Sequence, residues 1–169
     1  MICKSTKPYP MIKVKSPNRE YAELLLEDYA SCTSEDTAIH LYTYQSLILG
    51  EKNAELADIL KEIAKVEMYH LSLLGKTIKA LGVNPAFGIR SGEWLIPWNS
   101  SCVSYNKNLE EMLKIDIIRE EDAIKNYRKH KAIIDDEYIK ALLERIIEDE
   151  LVHLDIFHYY LQESKRHCK

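Results

Sequence analysis

Four stretches of this chain place apolar residues at steps of three and four, the spacing of a helix with one buried face. The first runs from Ser16-Pro17, a cap followed by proline at the first helical position, to about Leu49, where Gly50 follows. The second runs from about Asn53 to Leu81 and stops at Gly82. The third starts near Asn108 and reaches about Ile134. Asp135-Asp136 then break the pattern and cap a fourth, which runs to about Gln162. Short turns join the first helix to the second and the third to the fourth, so each pair is antiparallel. Residues 82–107 lack periodicity, hold Pro85, Gly88, Gly92 and Pro97, and read as a long crossover. Residues 1–15, broken by Pro8 and Pro10, read as an irregular N-terminal arm ahead of one unit, 16–169. The fold class is all-α, a four-helix bundle with one long crossover between its second and third helices.

Each apolar stripe carries charge near its middle. The first reads Leu25, Asp28, Cys32, Glu35, Ile39, Tyr42, Ser46, Leu49, and the second Leu56, Leu60, Ile63, Glu67, His70, Leu74, Ile78, Leu81. The third reads Leu109, Leu113, Asp116, Glu120, Ile124, Tyr127, and the fourth Ile139, Leu143, Ile146, Glu150, His153, Phe157, Leu161. A buried carboxylate without a partner costs several kcal/mol, and four brought together repel one another. No Lys or Arg stands on these stripes near the middle. A bound cation is the simplest compensation. A histidine three residues after a glutamate lies on the same helical face, so Glu67/His70 and Glu150/His153 can each reach one point.

The chain also repeats this arrangement. Glu35 is followed seven residues on by Tyr42, and Glu120 seven on by Tyr127. In each half a helix with a lone Glu precedes one with Glu-x-x-His, Glu67-Met68-Tyr69-His70 and then Glu150-Leu151-Val152-His153. Two half-sites follow, together offering Glu35, Glu67, His70, Glu120, Glu150 and His153 to two metal ions. A single Glu-x-x-His pair arises easily by chance in a chain this rich in glutamate. The matched order on four stripes does not.

With 46% apolar and 30% charged residues the 169-residue chain can bury a core, and its 5 Gly and 5 Pro are too few for an all-β fold. A net charge of −4 without a basic block argues against nucleic acid. No stretch is apolar enough for a membrane span, and residues 1–17 lack the apolar core of a signal peptide. Cys3, Cys32, Cys102 and Cys168 form no C-x-x-C pair, which argues against a zinc ribbon or a secreted disulfide framework. The expectation is a cytoplasmic protein.

On Glu35 with Tyr42, Glu67/His70, Glu120 with Tyr127, and Glu150/His153, residues 18–162 resemble the rubrerythrin-type members of the ferritin-like superfamily, and also manganese catalases. The resemblance implies a ferritin-like four-helix bundle holding two Fe ions or two Mn ions. It implies that Glu67 and Glu150 bridge the metals, that Glu35 and Glu120 are terminal ligands, and that each His caps one metal. Two departures stand out. These 169 residues hold none of the Cys pairs of the rubredoxin domain of full rubrerythrins, so a bundle without that domain is expected, and the extra glutamate some members carry three residues beyond the third-helix ligand is Ala123.

Carboxylate and imidazole ligands suit Fe and Mn and leave coordination positions open. The expected reaction is reduction of hydrogen peroxide to water with an external electron donor, such as a rubredoxin-type protein. The alternatives are manganese-catalase-type disproportionation, dioxygen as the oxidant, or non-enzymatic iron oxidation and storage. Tyr42 and Tyr127 are candidates to hydrogen-bond ligand carboxylates, and Asp116 to hold the free N–H of a ligand histidine. Cys32 reads as a small buried residue near the site, and Trp94 and Trp98 as packing over the bundle. Asp155/His158 and Asp36/His40 read as surface or interface pairs. Ile39, Leu41, Tyr44, Leu47 and Ile48 make the first helix apolar on a second face, which predicts a homodimer.

Overall fold

The computed structural model describes residues 2–167; Met1, Cys168 and Lys169 lie outside the described residues, as do those ends of the arm and bundle ranges. The elements are α1 (Arg19–Ala30), α2 (Glu35–Leu49), α3 (Ala54–Ala80), β1 (Gly88–Ser91), β2 (Trp94–Pro97), α4 (Leu109–Ile133) and α5 (Glu137–His167). Helix α2 packs along α3 and α4 along α5, and the crossover carries the chain from one pair to the other. The architecture is that of a ferritin-like four-helix bundle. No helix among the described residues is long and apolar enough to cross a membrane.

The helix ends follow side-chain chemistry. Asn53 and Asn108 cap α3 and α4, accepting from Leu56 N and Glu111 N, and Asp136 Oδ1 accepts from Tyr138 N ahead of α5. Beyond α3, Gly82 takes φ 91° and Val83 N closes back on Ile78 O, a turn that suits glycine. The start of α1 differs from the sequence expectation. Asn18, not Ser16, is the cap, since its side chain accepts from Tyr21 N while its own N–H donates to Leu81 O.

The expected first helix is two helices. Residues 31–34 leave the helical path because Ser31, Thr33 and Ser34 offer the backbone local partners. Ser34 Oγ donates to Ser31 O at 2.7 Å, Thr37 Oγ1 donates to the same carbonyl at 2.8 Å, and Ser34 caps α2. The break starts α2 at Glu35, in the first turn, where the helix dipole favours a carboxylate.

The crossover is more ordered than expected. Its antiparallel hairpin pairs Gly88 with Pro97 and Ser91 with Trp94 around Gly92-Glu93, with Gly92 at φ 62° as a tight hairpin turn requires. A Cβ on Gly88 would stand 2.3 Å from Ile96 O, so the strands admit only glycine there. Trp98 stacks on His40 at 4.7 Å and donates to Thr37 Oγ1, packing on α2 as expected. Trp94 does not; it is 80% exposed on the hairpin. Cys32 is exposed rather than buried, and it forms a disulfide with Cys102 that ties the break before α2 to the end of the crossover.

The apolar core has two parts. One gathers Leu41, Tyr42, Leu60, Ile63, Leu113 and Phe157, the other Leu25, Leu74, Ile78, Tyr127, Leu143 and Ile146. Between them lies a charged layer.

Candidate metal centre

Glu35 on α2, Glu67 and His70 on α3, Glu120 on α4, and Glu150 and His153 on α5 are all buried, none more than 4% exposed. Their ligand atoms form two groups. Glu35, Glu67, His70 and Glu150 offer atoms within 4.8 Å of one another, and so do Glu67, Glu120, Glu150 and His153. Glu67 and Glu150 belong to both. The sequence-predicted six are thus brought together with the expected pair shared.

Both histidines turn the same atom inward. His70 Nδ1 lies 3.1 Å from Glu67, 3.2 Å from Glu150 and 3.5 Å from Glu35. His153 Nδ1 lies 2.9 Å from Glu150, 3.0 Å from Glu67 and 3.7 Å from Glu120. Their outer nitrogens meet acceptors. His70 Nε2 is 2.9 Å from Asp149 Oδ2, and His153 Nε2 is 2.9 Å from the carbonyl of Cys3. A carbonyl only accepts, so His153 Nε2 carries the proton. Burial raises the Asp149 pKa, but hydrogen bonds from His70, Tyr9 and Arg145 bring it down to about 2, so Asp149 is also an acceptor. When the rings are neutral, both Nδ1 lone pairs face the centre, as metal ligation requires.

The tyrosines cross between halves. Tyr42 on α2 donates to Glu120 Oε1 on α4 at 2.5 Å, and Tyr127 on α4 donates to Glu35 Oε1 on α2. Asp116 does not hold a histidine. It accepts from Gln45 Nε2 at 2.7 Å, because its place one turn before Glu120 sets it against α2, away from both rings.

That role belongs to Asp149 and to the arm, which sequence reasoning missed. Arg145, one turn before Asp149, pairs with it at 2.6 Å and also donates to the carbonyls of Lys7 and Ser5. Ser5 N and the Tyr9 hydroxyl donate to Asp149 as well. The two halves differ here for a simple reason. Asp149 precedes Glu150, whereas the residue before Glu67 is the apolar Val66, and the Cys3 carbonyl fills the role for His153. Arg145 and Asp149 at a spacing of four were a visible signal, but one indistinguishable from a surface ion pair. Replacing Asp149 with Asn removes the charge that fixes the His70 ring, and metal affinity should fall by about 10–100-fold with the helical content unchanged. Equilibrium metal titration followed by circular dichroism checks this.

The electrostatics call for a cation. Burial, then Glu67 and Glu150, push the Glu35 carboxyl well above the usual carboxylate range. Burial, then Glu150 and Glu67, do the same to Glu120. Burial also raises Glu67, yet His153 and its other partners hold it well below. Burial opposes the imidazolium forms of His70 and His153, but the surrounding carboxylates raise both pKa values well above the ordinary. Glu67 Oε1 and Glu150 Oε1 are buried without a hydrogen-bond partner among the described residues. Two oxygens that accept no hydrogen bond, one on each shared residue, each facing an inward Nδ1 at 3.0 Å (Glu67 and His153) or 3.2 Å (Glu150 and His70), fit a pair of cations.

A cavity of about 20 Å³, room for one water-sized molecule, borders the four glutamates between α2 and α4. Its outer wall includes Cys32, Thr33, Ser34 and Arg119, and its inner wall Tyr42 and Tyr127. Asp28 also lines it. Arg119 donates to the carbonyls of both Cys32 and Cys102, so the disulfide and this arginine frame the approach to the site. Asp155 and His158 are exposed, as expected; His40 is exposed too, but its partner Asp36 at 3.6 Å is buried in the first turn of α2, which corrects the surface reading of that residue, and neither pair belongs to the two ligand groups.

The sequence profile of the rubrerythrin family matches residues 28–161, a span that contains all six side chains. A probable manganese catalase of Clostridium acetobutylicum is 24% identical over 175 residues, covering 91% of this chain and 76% of the relative. A manganese catalase from Anabaena superposes with a TM-score of 0.84 at 24% identity, covering 98% of this chain and 81% of the other. A bacterioferritin from Desulfovibrio desulfuricans superposes with a TM-score of 0.71 at 27% identity, covering 87% and 81%.

Proposed function

This chain belongs to the rubrerythrin family, and from that premise we propose that it is a dinuclear iron or manganese oxidoreductase that consumes hydrogen peroxide. One observation carries the reading: two four-residue groups share Glu67 and Glu150, and each is completed by one histidine. Glu67 and Glu150 would bridge two ions. Glu35 and His70 would complete one ion's ligands, and Glu120 and His153 the other's.

When bound, the two ions supply one electron each, which with two protons converts one hydrogen peroxide into two waters. The chain's own residues set the conditions. The small cavity beside the glutamates keeps out any substrate of more than a few heavy atoms. Tyr42 and Tyr127 hold Glu120 and Glu35 in place while the charge between them changes. Asp149 and the Cys3 carbonyl keep the Nε2 protons outward, so both rings remain ligands throughout.

An external donor, such as a rubredoxin-type protein, would restore the electrons in peroxidase turnover. A second peroxide would restore them in disproportionation, and likeness to manganese catalases over almost the whole chain supports that mode. The exposed Leu47 and Ile48 support a homodimer through α2. Metal analysis of protein purified from its native host, with peroxide and oxygen electrodes run with and without reductant, tests the reading. Two Mn or Fe per chain and peroxide consumption are expected. Oxygen release without reductant marks disproportionation, and consumption only with reductant marks the peroxidase. A metal-loaded chain that leaves peroxide untouched overturns the proposal. Elution as a large shell with iron taken up would instead point to storage.

A further inference from the structure

We propose that Glu27, His130 and Asp28 form a proton relay from the surface into the cavity beside the metal centre. His130 Nε2 lies 3.3 Å from Glu27 Oε2, and the Glu27 side chain is 47% exposed. His130 Nδ1 lies 2.7 Å from Asp28 Oδ2, and both residues are buried. Asp28 in turn lines the cavity that borders Glu35, Glu67, Glu120 and Glu150. The three residues thus lead from solvent to the space a substrate would enter, joined by a hydrogen bond at the Asp28 end and, at the Glu27 end, by an ion-pair approach in which buried Nε2 makes no hydrogen bond until the exposed carboxylate turns towards it; none of them belongs to the two ligand groups.

Packing alone does not explain this pair. Buried ionisable partners are commonly no more stabilising than apolar residues of the same size. The chain's internal repeat offers a comparison. Ten residues after Glu120 stands His130, and ten after Glu35 stands Gln45. Gln45 also faces a buried aspartate, Asp116, at 2.7 Å. An amide neither accepts nor releases a proton in this range, and neither Gln45 nor Asp116 lines the cavity. The same structural position is therefore a non-titrating bond in one half and an ionisable path in the other.

The pair is also tuned for exchange. Burial pushes Asp28 up to about 6 against the pull of His130. His130 is raised by Asp28 and Glu27, although burial opposes its charged form. Lys129 and Glu27 are the other charged groups acting on the pair. Its position in the last turn of α4 further favours a protonated imidazole.

The relay rests on the peroxide reading above, which consumes two protons for each peroxide reduced. In each transfer the Asp28 carboxyl gives its proton to a departing oxygen in the cavity and the His130 imidazolium reprotonates Asp28 from Nδ1; the ring, left neutral with its proton on Nε2, returns to the imidazolium by tautomer exchange and uptake of one proton from Glu27 and solvent. The electrons come from the metal pair. In disproportionation the second peroxide, oxidised to dioxygen, returns two protons along the same path.

His130→Gln copies the chemistry of the other half and is the central test. It should keep two metals per chain and lose about 10²-fold or more in peroxide turnover, the usual weight of general acid–base transfer. The solvent deuterium isotope effect should rise, and added imidazole should restore part of the rate. Glu27→Gln, at the surface, should slow turnover several-fold without any risk to folding. In the metal-free wild-type chain, nitrogen NMR of labelled histidine should show His130 titrating above an ordinary histidine and falling back in Asp28→Asn. Unchanged turnover and isotope effect in His130→Gln, or a loss that imidazole does not relieve, overturns the relay. So does a His130 that keeps one protonation state from about pH 5 to 9. If the wild-type enzyme itself ignores peroxide, the peroxide reading fails instead, and the NMR titration still decides whether the three residues are coupled.

Discussion

Glu67→Gln should empty the whole centre, whereas Glu35→Gln should cost one ion. Glu67 belongs to both four-residue groups and Glu35 to one. A neutral amide at position 67 removes a negative charge facing both cations and places an N–H₂ donor where a lone pair is needed. Loss of an indirect partner already lowers metal affinity by about 10–100-fold, so a shared ligand should exceed about 100-fold for each ion. Peroxide turnover should fall to background. Glu150→Gln should behave as Glu67→Gln, and Glu120→Gln as Glu35→Gln. Elemental analysis after dialysis reads the stoichiometry, with circular dichroism confirming the helices. Two ions retained by Glu67→Gln would show that Glu67 is not a bridge.

Metal removal should have the second-largest effect, and that effect should grow with pH. Free metal at a hundred times its dissociation constant stabilises the folded chain by about 2.7 kcal/mol per ion, so two ions add about 5 kcal/mol. For a chain of this length that is roughly 10–20 °C in Tm. Without metal, the layer relies on protons. The Glu35 and Glu120 carboxyls and the His70 and His153 rings are all raised above their ordinary pKa values. Each such group lends stability that is complete below its unfolded pKa and is lost as pH rises through its folded one. Glu67, held low, works in the opposite sense, its contribution disappearing as pH falls. Four groups against one make the metal-free chain less stable from about pH 5 to 8. Bound cations displace these protons and flatten the dependence. Calorimetry of chelated and loaded protein at several pH values should show a widening gap, and a gap independent of pH would contradict this account of the layer.

The parts of this molecule visible in its sequence are those that depend on helical period. Glu35, Glu67, His70, Glu120, Glu150 and His153 stand on apolar stripes, and a stripe has one place to go. Caps at Asn53, Asn108 and Asp136 were equally local. The errors share a cause. Position on a stripe gives a residue's depth but not its partner, so Asp116 was inward as expected yet met Gln45 rather than a histidine. The break at residues 31–34 was masked because apolar spacing continues on both sides of it. Cys32 and Cys102, 70 residues apart, have no local pattern linking them. Asp149 and Tyr9 acquire meaning only once the arm is laid against α5, and that contact follows no period at all.

The Cys3 carbonyl that steadies His153 lies 150 residues before it in the chain. During translation the arm therefore leaves the ribosome long before the helix that gives it a berth. Until α5 emerges, Ser5 and Tyr9 have no Asp149 to bind, and the nascent polypeptide has only His70 from its histidine pair. The six side chains of the cluster thus come together only when α5 has joined the other helices, since Glu150 and His153 stand on it.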